Sequence, residues 1–285
     1  MESSFDASGK TIVVVPAFNA ARTLADVVTD IPADCYDAIV VVDDASRDET
    51  VAVAEALDVT LIRHARNRGY GGNLKTCYAQ ALELGAEYVV TVHADNQYDP
   101  RMIPAALRIL ELGICDVVLG NRIRTRQEAL AGGMPRLKYF ANRALTLVEN
   151  TISGQNLGEW HSGFRACRRE VLERVPFEAN SEDFVFDSQF LLQAVHLGFR
   201  VGDLPIPVRY FPEASSISVP RAAKYALETM LAFAEWVLHR SRVRPSVRFE
   251  PRVGSDDPHG PPSVGAESPP VGRPDSVSSS VSIRS

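Results

Sequence analysis

Five short runs rich in β-branched residues recur between Thr11 and Arg122: TIVVV, AIVVVDD, TLIRH, YVVTVHAD and DVVLGNR. They read as near-continuous apolar strands and not as alternating ones, the pattern of strands buried on both faces of a parallel sheet. Between them lie ARTLADVVTDI, DETVAVAEAL, GGNLKTCYAQALELG and RMIPAALRILELG, each with apolar residues at helical spacing and two of them closing on glycine. Strand and helix in alternation predict an α/β fold: a Rossmann-like, mostly parallel sheet with helices on both faces.

The alternation breaks after Arg122. A basic, glycine-bearing stretch, RIRTRQEALAGGMPRLKYF, leads into a helix and then a polar turn around SGQNLGEWHSG. SGFRACRREVLERV reads as strand and helix, FDSQFLLQAVHLG as a helix, and FRVGDLPIPVRYF as a strand whose prolines suit a sheet edge. RAAKYALETMLAFAEWVLHR is amphipathic, with Leu227, Leu231, Ala234 and Leu238 on one face and Glu228 and Glu235 away from it. Such a face either packs on the core or lies in a membrane interface beside the basic HRSRVRPSVR. Residues 1–10 are expected to be flexible. Residues 250–285, rich in Pro, Ser and Gly with few large apolar side chains, are expected to be disordered.

A formal net charge of −6 argues against a nucleic-acid partner. Four scattered cysteines with no C-x-x-C pair suggest neither a zinc knuckle nor a disulfide scaffold, and read as reduced, mostly buried thiols of a cytosolic protein. The N-terminus lacks the pattern of a secretory signal, and no run reaches the ~18 apolar residues of a membrane span.

The chemistry-bearing residues cluster at strand ends, where open α/β sheets bind ligands. In VVVPAFNAARTL, Pro16 and Phe18 can form a stiff apolar rim for a flat base, or the segment is an ordinary turn with Asn19 near a helix N-cap. In VVVDDASRDET, Asp43 and Asp44 close a buried strand and require partners. A ribose hydroxyl or base donor would suit Asp44; Arg or backbone amides would suit Asp43, with Ser46 as a turn or cap residue before a helix at Asp48. NRGYGGNLKT approaches a phosphate-binding G-x-x-x-x-G-K-[ST] loop but places Leu74 where that loop needs Gly. Its glycines instead suit a tight approach before a helix whose N-terminus points into the site. In VHADNQYDP, Asp95 and Gln97 can present hard oxygen ligands to Mg²⁺ or Mn²⁺. His93 is either a Mn²⁺ ligand or a hydrogen-bonding neighbour.

VVVPAFNA, VVVDDASRDET, NRGYGG and HADNQYDP, in this order, resemble a family 2 glycosyltransferase of the GT-A fold, in its dolichyl- or polyprenyl-phosphate sugar synthase-like branch, over residues 10 to 240. The resemblance implies a glycosyltransferase domain at 11–240, with a nucleotide-sugar-binding half (11–122) and an acceptor half (123–240) ending in the amphipathic helix. It implies inverting transfer of a hexose from a UDP- or GDP-sugar to a lipid phosphate, with Mg²⁺ or Mn²⁺, by a peripheral protein at the cytoplasmic membrane surface in cell-envelope biosynthesis. Pro16, Phe18, Val42 and Asp44 would hold the nucleoside, and His93, Ala94, Asp95 and Gln97 the diphosphate and metal. Arg122 would meet the acceptor phosphate, with Arg136 as a second contact or a solvated helix residue. His93 stands where the family has its first Asp, and Ala20 where a Glu often contacts base or ribose.

A phosphate acceptor needs no general base. A hydroxyl acceptor, such as a cell-wall glycan, does, and NSEDFVFDSQ offers Asp183 for that role, with Asp187 alternatively a helix N-cap. Trp160 either stacks on a sugar or fills the core. A nucleotide-sugar-binding protein without catalysis is a further alternative, suggested by His93.

Overall fold

Seven strands pair in the order β3-β2-β1-β4-β6-β5-β7. They are β1 (Thr11–Ala17), β2 (Ala38–Asp43), β3 (Thr60–Arg63), β4 (Tyr88–Thr91), β5 (Val117–Asn121), β6 (Arg165–Arg168) and β7 (Val201–Pro205). The structure is a computed structural model, and it describes residues 9–122, 125–131, 134–207 and 219–252. The expected flexible N-terminus and disordered tail lie almost wholly outside these residues. All strand pairs are parallel except those of β6, which runs antiparallel to β4 and β5. The proline-bearing β7 occupies a sheet edge, as its sequence predicts.

Both faces of the sheet are covered, which is why its strands are apolar at successive positions. Ile12, Val14, Val40 and Val42 point to one face, against Leu74, Cys77 and Tyr78 of α3 (Gly69–Glu83) and Phe186 and Phe190 of α8 (Phe186–His196). Val13, Val15, Ile39 and Val41 point to the other, against Leu24 and Val27 of α1 (Leu24–Asp30), Ala54 of α2 (Thr50–Glu55) and Ile103, Leu107 and Leu110 of α4 (Ile103–Glu111). The chain leaves β1 on one side toward β2 and returns on the other as β4, so a crevice opens beyond the carboxyl ends of β1 and β4. Three non-glycine residues with left-handed backbone, Asn19, Ala45 and Asn96, each lie just beyond one of the strand ends that line this crevice.

The second half adds α5 (Arg126–Ala131), α6 (Arg136–Ser153), α7 (Arg169–Arg174) and the long α9 (Val219–Arg240). α9 packs on the core, one of its two expected readings, but not through the apolar stripe that suggested it. Leu227 and Leu231 are 62% and 59% exposed, and Ala234 and Leu238 are exposed as well. The buried face is instead Thr229, Ala232, Phe233 and Trp236. α6 repeats the arrangement: Leu137, Phe140, Ala144, Leu147, Val148 and Ile152 are exposed at three- and four-residue spacing along one side. The four cysteines are unpaired thiols, three of them buried.

Candidate active site

The crevice is a cleft of about 1010 Å³. Its floor comes from the strand ends (Pro16 in β1 and Phe18 after it, Asp44 after β2, His93, Ala94 and Asp95 after β4), and its walls include Tyr70 of α3, the loop bearing Asp183 and Phe184, and Lys224 and Tyr225 of α9. Phe18 is half exposed, a free aromatic face on the rim.

Asp44 is buried and finds its partners within the chain. Its Oδ1 accepts from the backbone N–H of Arg68 at 2.8 Å and meets His64 Nδ1 at 2.7 Å; its Oδ2 accepts from the N–H of Gly69 at 2.9 Å. The carboxylate thereby fixes the first turn of α3 to the end of β2. Asp43 accepts from the N–H of Ser46 at 3.2 Å. Asn19 is no helix cap: its N–H donates to Ser46 Oγ and its side-chain oxygen accepts from the N–H of Arg47, stapling the loops after β1 and β2 together. The helix after Asp48 begins at Thr50, whose N–H donates to Asp48.

The glycines of NRGYGG make the expected close approach. Gly71 donates its N–H to the carbonyl of Glu182 at 2.9 Å, and a Cβ at position 71 would collide with the carbonyl of Ser181. Gly69 has φ +81°, a conformation only glycine adopts freely. This contact sets the Asp183 loop beside the N-terminal turn of α3.

Beyond the end of β4, Asp95 Oδ1 accepts from the backbone N–H of Gln97 at 3.1 Å, and among the described residues Oδ2 has no hydrogen-bond partner. Gln97 meets Asp95 through its backbone, and it is not among the cleft-lining residues. No group of three or more His, Cys, Asp or Glu side chains placed to hold a metal occurs among the described residues. A hard divalent ion bound through a single carboxylate, waters and diphosphate oxygens fits this donor set, because Mg²⁺ sites of that kind use one or two carboxylates. His93 is packed between Tyr70, Tyr98 and the backbone of Gly163. Burial holds its imidazole below the usual histidine value, against the opposing pull of Asp95 and Asp187.

Asp183 lies on the cleft wall and is paired with Lys224 Nζ at 2.6 Å. The hydrogen bond from Lys224 holds its carboxyl below the usual aspartate value. Asp187 is not an N-cap. It sits within the first turn of α8, accepts from the Tyr70 hydroxyl at 2.8 Å and pairs with the buried Arg165 at 3.1 Å.

Besides Gln97, four expected contacts lie away from the cleft lining. Val42 is fully buried and meets its neighbours through its carbonyl, which accepts from Asn73 at 2.9 Å. Trp160 resolves to the core alternative: it is fully buried, edge-on to Phe233, with its indole N–H donated to Asn150 at 2.8 Å. Arg122 turns inward onto the fully buried Glu159, which accepts from its Nε and its backbone N–H. Arg136 is exposed at the start of α6. Tyr70, Lys224 and Tyr225 were not anticipated; Tyr70 lies inside a motif already singled out, whereas α9 shows only an amphipathic pattern that does not say which polar residues face the cleft.

The sequence model described as glycosyl transferase family 2 matches residues 12–175. The UDP-N-acetylglucosamine–dolichyl-phosphate N-acetylglucosaminyltransferase of Methanococcus voltae is 27% identical over 215 residues, 70% of this chain and 85% of that one. The polyprenol monophosphomannose synthase of Mycolicibacterium smegmatis is 28% identical over 239 residues, 80% of this chain and 86% of that one. Among solved structures, glucosyl-3-phosphoglycerate synthase from Mycobacterium tuberculosis in complex with phosphoglyceric acid has a TM-score of 0.64 at 19% identity, covering 81% of each chain. The same enzyme with Mn²⁺, UDP and phosphoglyceric acid gives 0.61 at 19% identity, covering 83% of this chain and 80% of that one. Family match, named relatives and shared GT-A architecture agree with the resemblance carried by the four motifs: the chain belongs to glycosyl transferase family 2 and is a glycosyltransferase.

Proposed function

We propose that the enzyme transfers a hexose, with inversion, from a UDP- or GDP-sugar to polyprenyl phosphate at the cytoplasmic face of a membrane, with Mg²⁺ or Mn²⁺ held at Asp95. The observation that carries this reading is Asp95 at the switch-point crevice with one carboxylate oxygen accepting from Gln97 and the other without a hydrogen-bond partner among the described residues. A divalent ion there would neutralise charge on the departing nucleoside diphosphate. Phe18 and Pro16 offer the base an apolar rim, and Asp44 holds the first turn of α3 in place beside it. An anionic acceptor needs orientation in place of deprotonation, so Asp183 remains ionised and paired with Lys224.

The exposed apolar faces of α6 and α9 support peripheral attachment to a bilayer. Leu137 and Leu147 are 74% and 67% exposed, Arg136 and Lys138 lie in the first turn of α6, and Arg240 ends α9 with Arg242 and Arg244 just beyond it, the apolar-plus-basic composition of helices that lie in an anionic interface. Among the described residues no helix is long and apolar enough to cross a membrane. The relatives named for dolichyl or polyprenol phosphate point to the same acceptor class.

The test is a panel of radiolabelled UDP- and GDP-sugars incubated with the enzyme, Mn²⁺ or Mg²⁺, and liposomes containing polyprenyl phosphate, followed by extraction into organic solvent. Label in the organic phase with one donor is the expected result; label confined to water throughout overturns the acceptor. The second reading, transfer to a hydroxyl with Asp183 as base, is favoured by the position of Asp183 on the cleft wall and by the withdrawal of Arg122 onto Glu159. A product formed only with glycan acceptors, and abolished in Asp183→Asn, would establish it.

A further inference from the structure

Behind the α9 wall lies a chain of polar groups that the reaction as described does not use. Tyr225 lines the cleft, and its hydroxyl is 2.8 Å from His161 Nδ1 and 3.2 Å from Ser188 Oγ. The other ring nitrogen, Nε2, is 3.1 Å from Oε2 of Glu149 on α6, a carboxyl that is fully buried. Neither Glu149 oxygen has a hydrogen bond of good geometry among the described residues, so the nearby imidazole is its compensation. The surrounding charges are already matched, Arg122 with Glu159 and Arg165 with Asp187.

A buried carboxylate beside a neutral imidazole would leave one uncompensated charge, which costs far more than a neutral pair. The pair is neutral only if it holds one additional proton, on Glu149 or on His161 Nε2. In either arrangement Nδ1 also carries a hydrogen: the imidazolium has both, and a neutral ring accepting at Nε2 from the carboxylic acid has its own on Nδ1. Nδ1–H then donates to the Tyr225 oxygen, and the phenolic hydrogen is left for another acceptor, Ser188 Oγ or a group in the cleft. If the shared proton is lost, Nε2–H faces the carboxylate, Nδ1 is bare, and Tyr225 must donate to it.

We infer that the buried Glu149–His161 pair stores a proton that makes the Tyr225 hydroxyl a hydrogen-bond donor into the cleft, where it contacts a phosphate oxygen of the acceptor. The phosphate contact rests on the lipid-phosphate reading; the proton relay does not. Tyr225 touches substrate in this scheme, whereas Glu149 and His161 are positioning residues. Burial drives the phenol well above its usual value, so Tyr225 keeps its own proton at both settings.

Long-range ¹H–¹⁵N spectra of the full chain labelled at histidine test the relay directly. His161 is expected with a protonated Nδ1; a bare Nδ1 overturns the relay whatever the acceptor is. Farnesyl phosphate serves as the acceptor probe. Tyr225→Phe should bind it about 10- to 100-fold more weakly, the size of a lost hydrogen bond to a charged group, with nucleotide affinity unchanged. Equal binding by Tyr225→Phe and the unaltered enzyme overturns the phosphate contact. No binding of farnesyl phosphate by the unaltered enzyme sinks the lipid-phosphate reading and the contact together, while the spectra still judge the relay. Circular dichroism checks that Tyr225→Phe is folded.

Discussion

Replacing Asp44 by Asn separates the role of this carboxylate as a structural anchor from a role as a nucleoside contact. The carboxylate accepts from three donors: His64, the N–H of Arg68 and the N–H of Gly69. An amide accepts at one oxygen only, and its least damaging orientation keeps that oxygen toward His64 and Arg68. The NH₂ then faces the Gly69 N–H, donor against donor. A lost bond to a charged acceptor accounts for roughly 1.5–3 kcal/mol, and the remaining two bonds drop from charge-assisted to neutral, about half their strength. The Gly69 N–H retains a contact with Asn67 Oδ1 at 3.1 Å, which offsets part of the loss. The expected destabilisation is about 3 kcal/mol, a shift of roughly 1–3 M in the urea midpoint at ordinary m-values. Urea unfolding followed by far-UV circular dichroism, with no ligand present, is the assay. An unmoved midpoint together with weakened nucleotide binding would refute the anchoring role and place Asp44 on the ligand.

Asp95→Asn should lower kcat/KM by about 10²–10³-fold, the scale of losing one preorganised electrostatic group, and weaken Mn²⁺ binding measured calorimetrically in the presence of UDP. Lys224→Ala removes the hydrogen bond that depresses Asp183, so the Asp183 carboxyl rises toward the ordinary value of about 3.9 and any acid limb it controls moves to higher pH. The stability contributed by this depressed carboxyl is present above its unfolded value and is lost as pH falls through its folded value; denaturation curves of Lys224→Ala and the parent should therefore converge under acid. Leu147→Glu with Leu231→Glu should abolish co-sedimentation with anionic vesicles and leave thermal stability nearly unchanged, because both side chains are exposed.

The sheet was legible because a strand buried on both faces leaves an uninterrupted apolar run, and each of the first five runs became a strand. The direction of β6 was not: residues 165–168 carry no local mark of being antiparallel, which depends on where the chain enters the sheet. At the site, the strand-end residues Pro16, Phe18, Asp44 and Asp95, singled out by position and by the family resemblance, all line the cleft. Tyr225, His161 and Glu149 were not assembled, since residues 149, 161 and 225 meet only through packing and leave no spacing in the sequence. The α9 stripe shows the limit of periodicity most plainly. An apolar helix face announces that something covers it, and Phe233 and Trp236, off that stripe, proved to be the pair the core had taken.

The contact of Gly71 with the carbonyls of residues 181 and 182 has a mechanical consequence. One wall of the cleft starts at Gly69 and the facing loop carries Asp183, and the two touch where position 71 has only hydrogen. The aperture is therefore calibrated by a missing methyl group: any larger residue at 71 prises the first turn of α3 from the Asp183 loop, and whatever displaces that loop pulls on the same turn that Asp44 clamps.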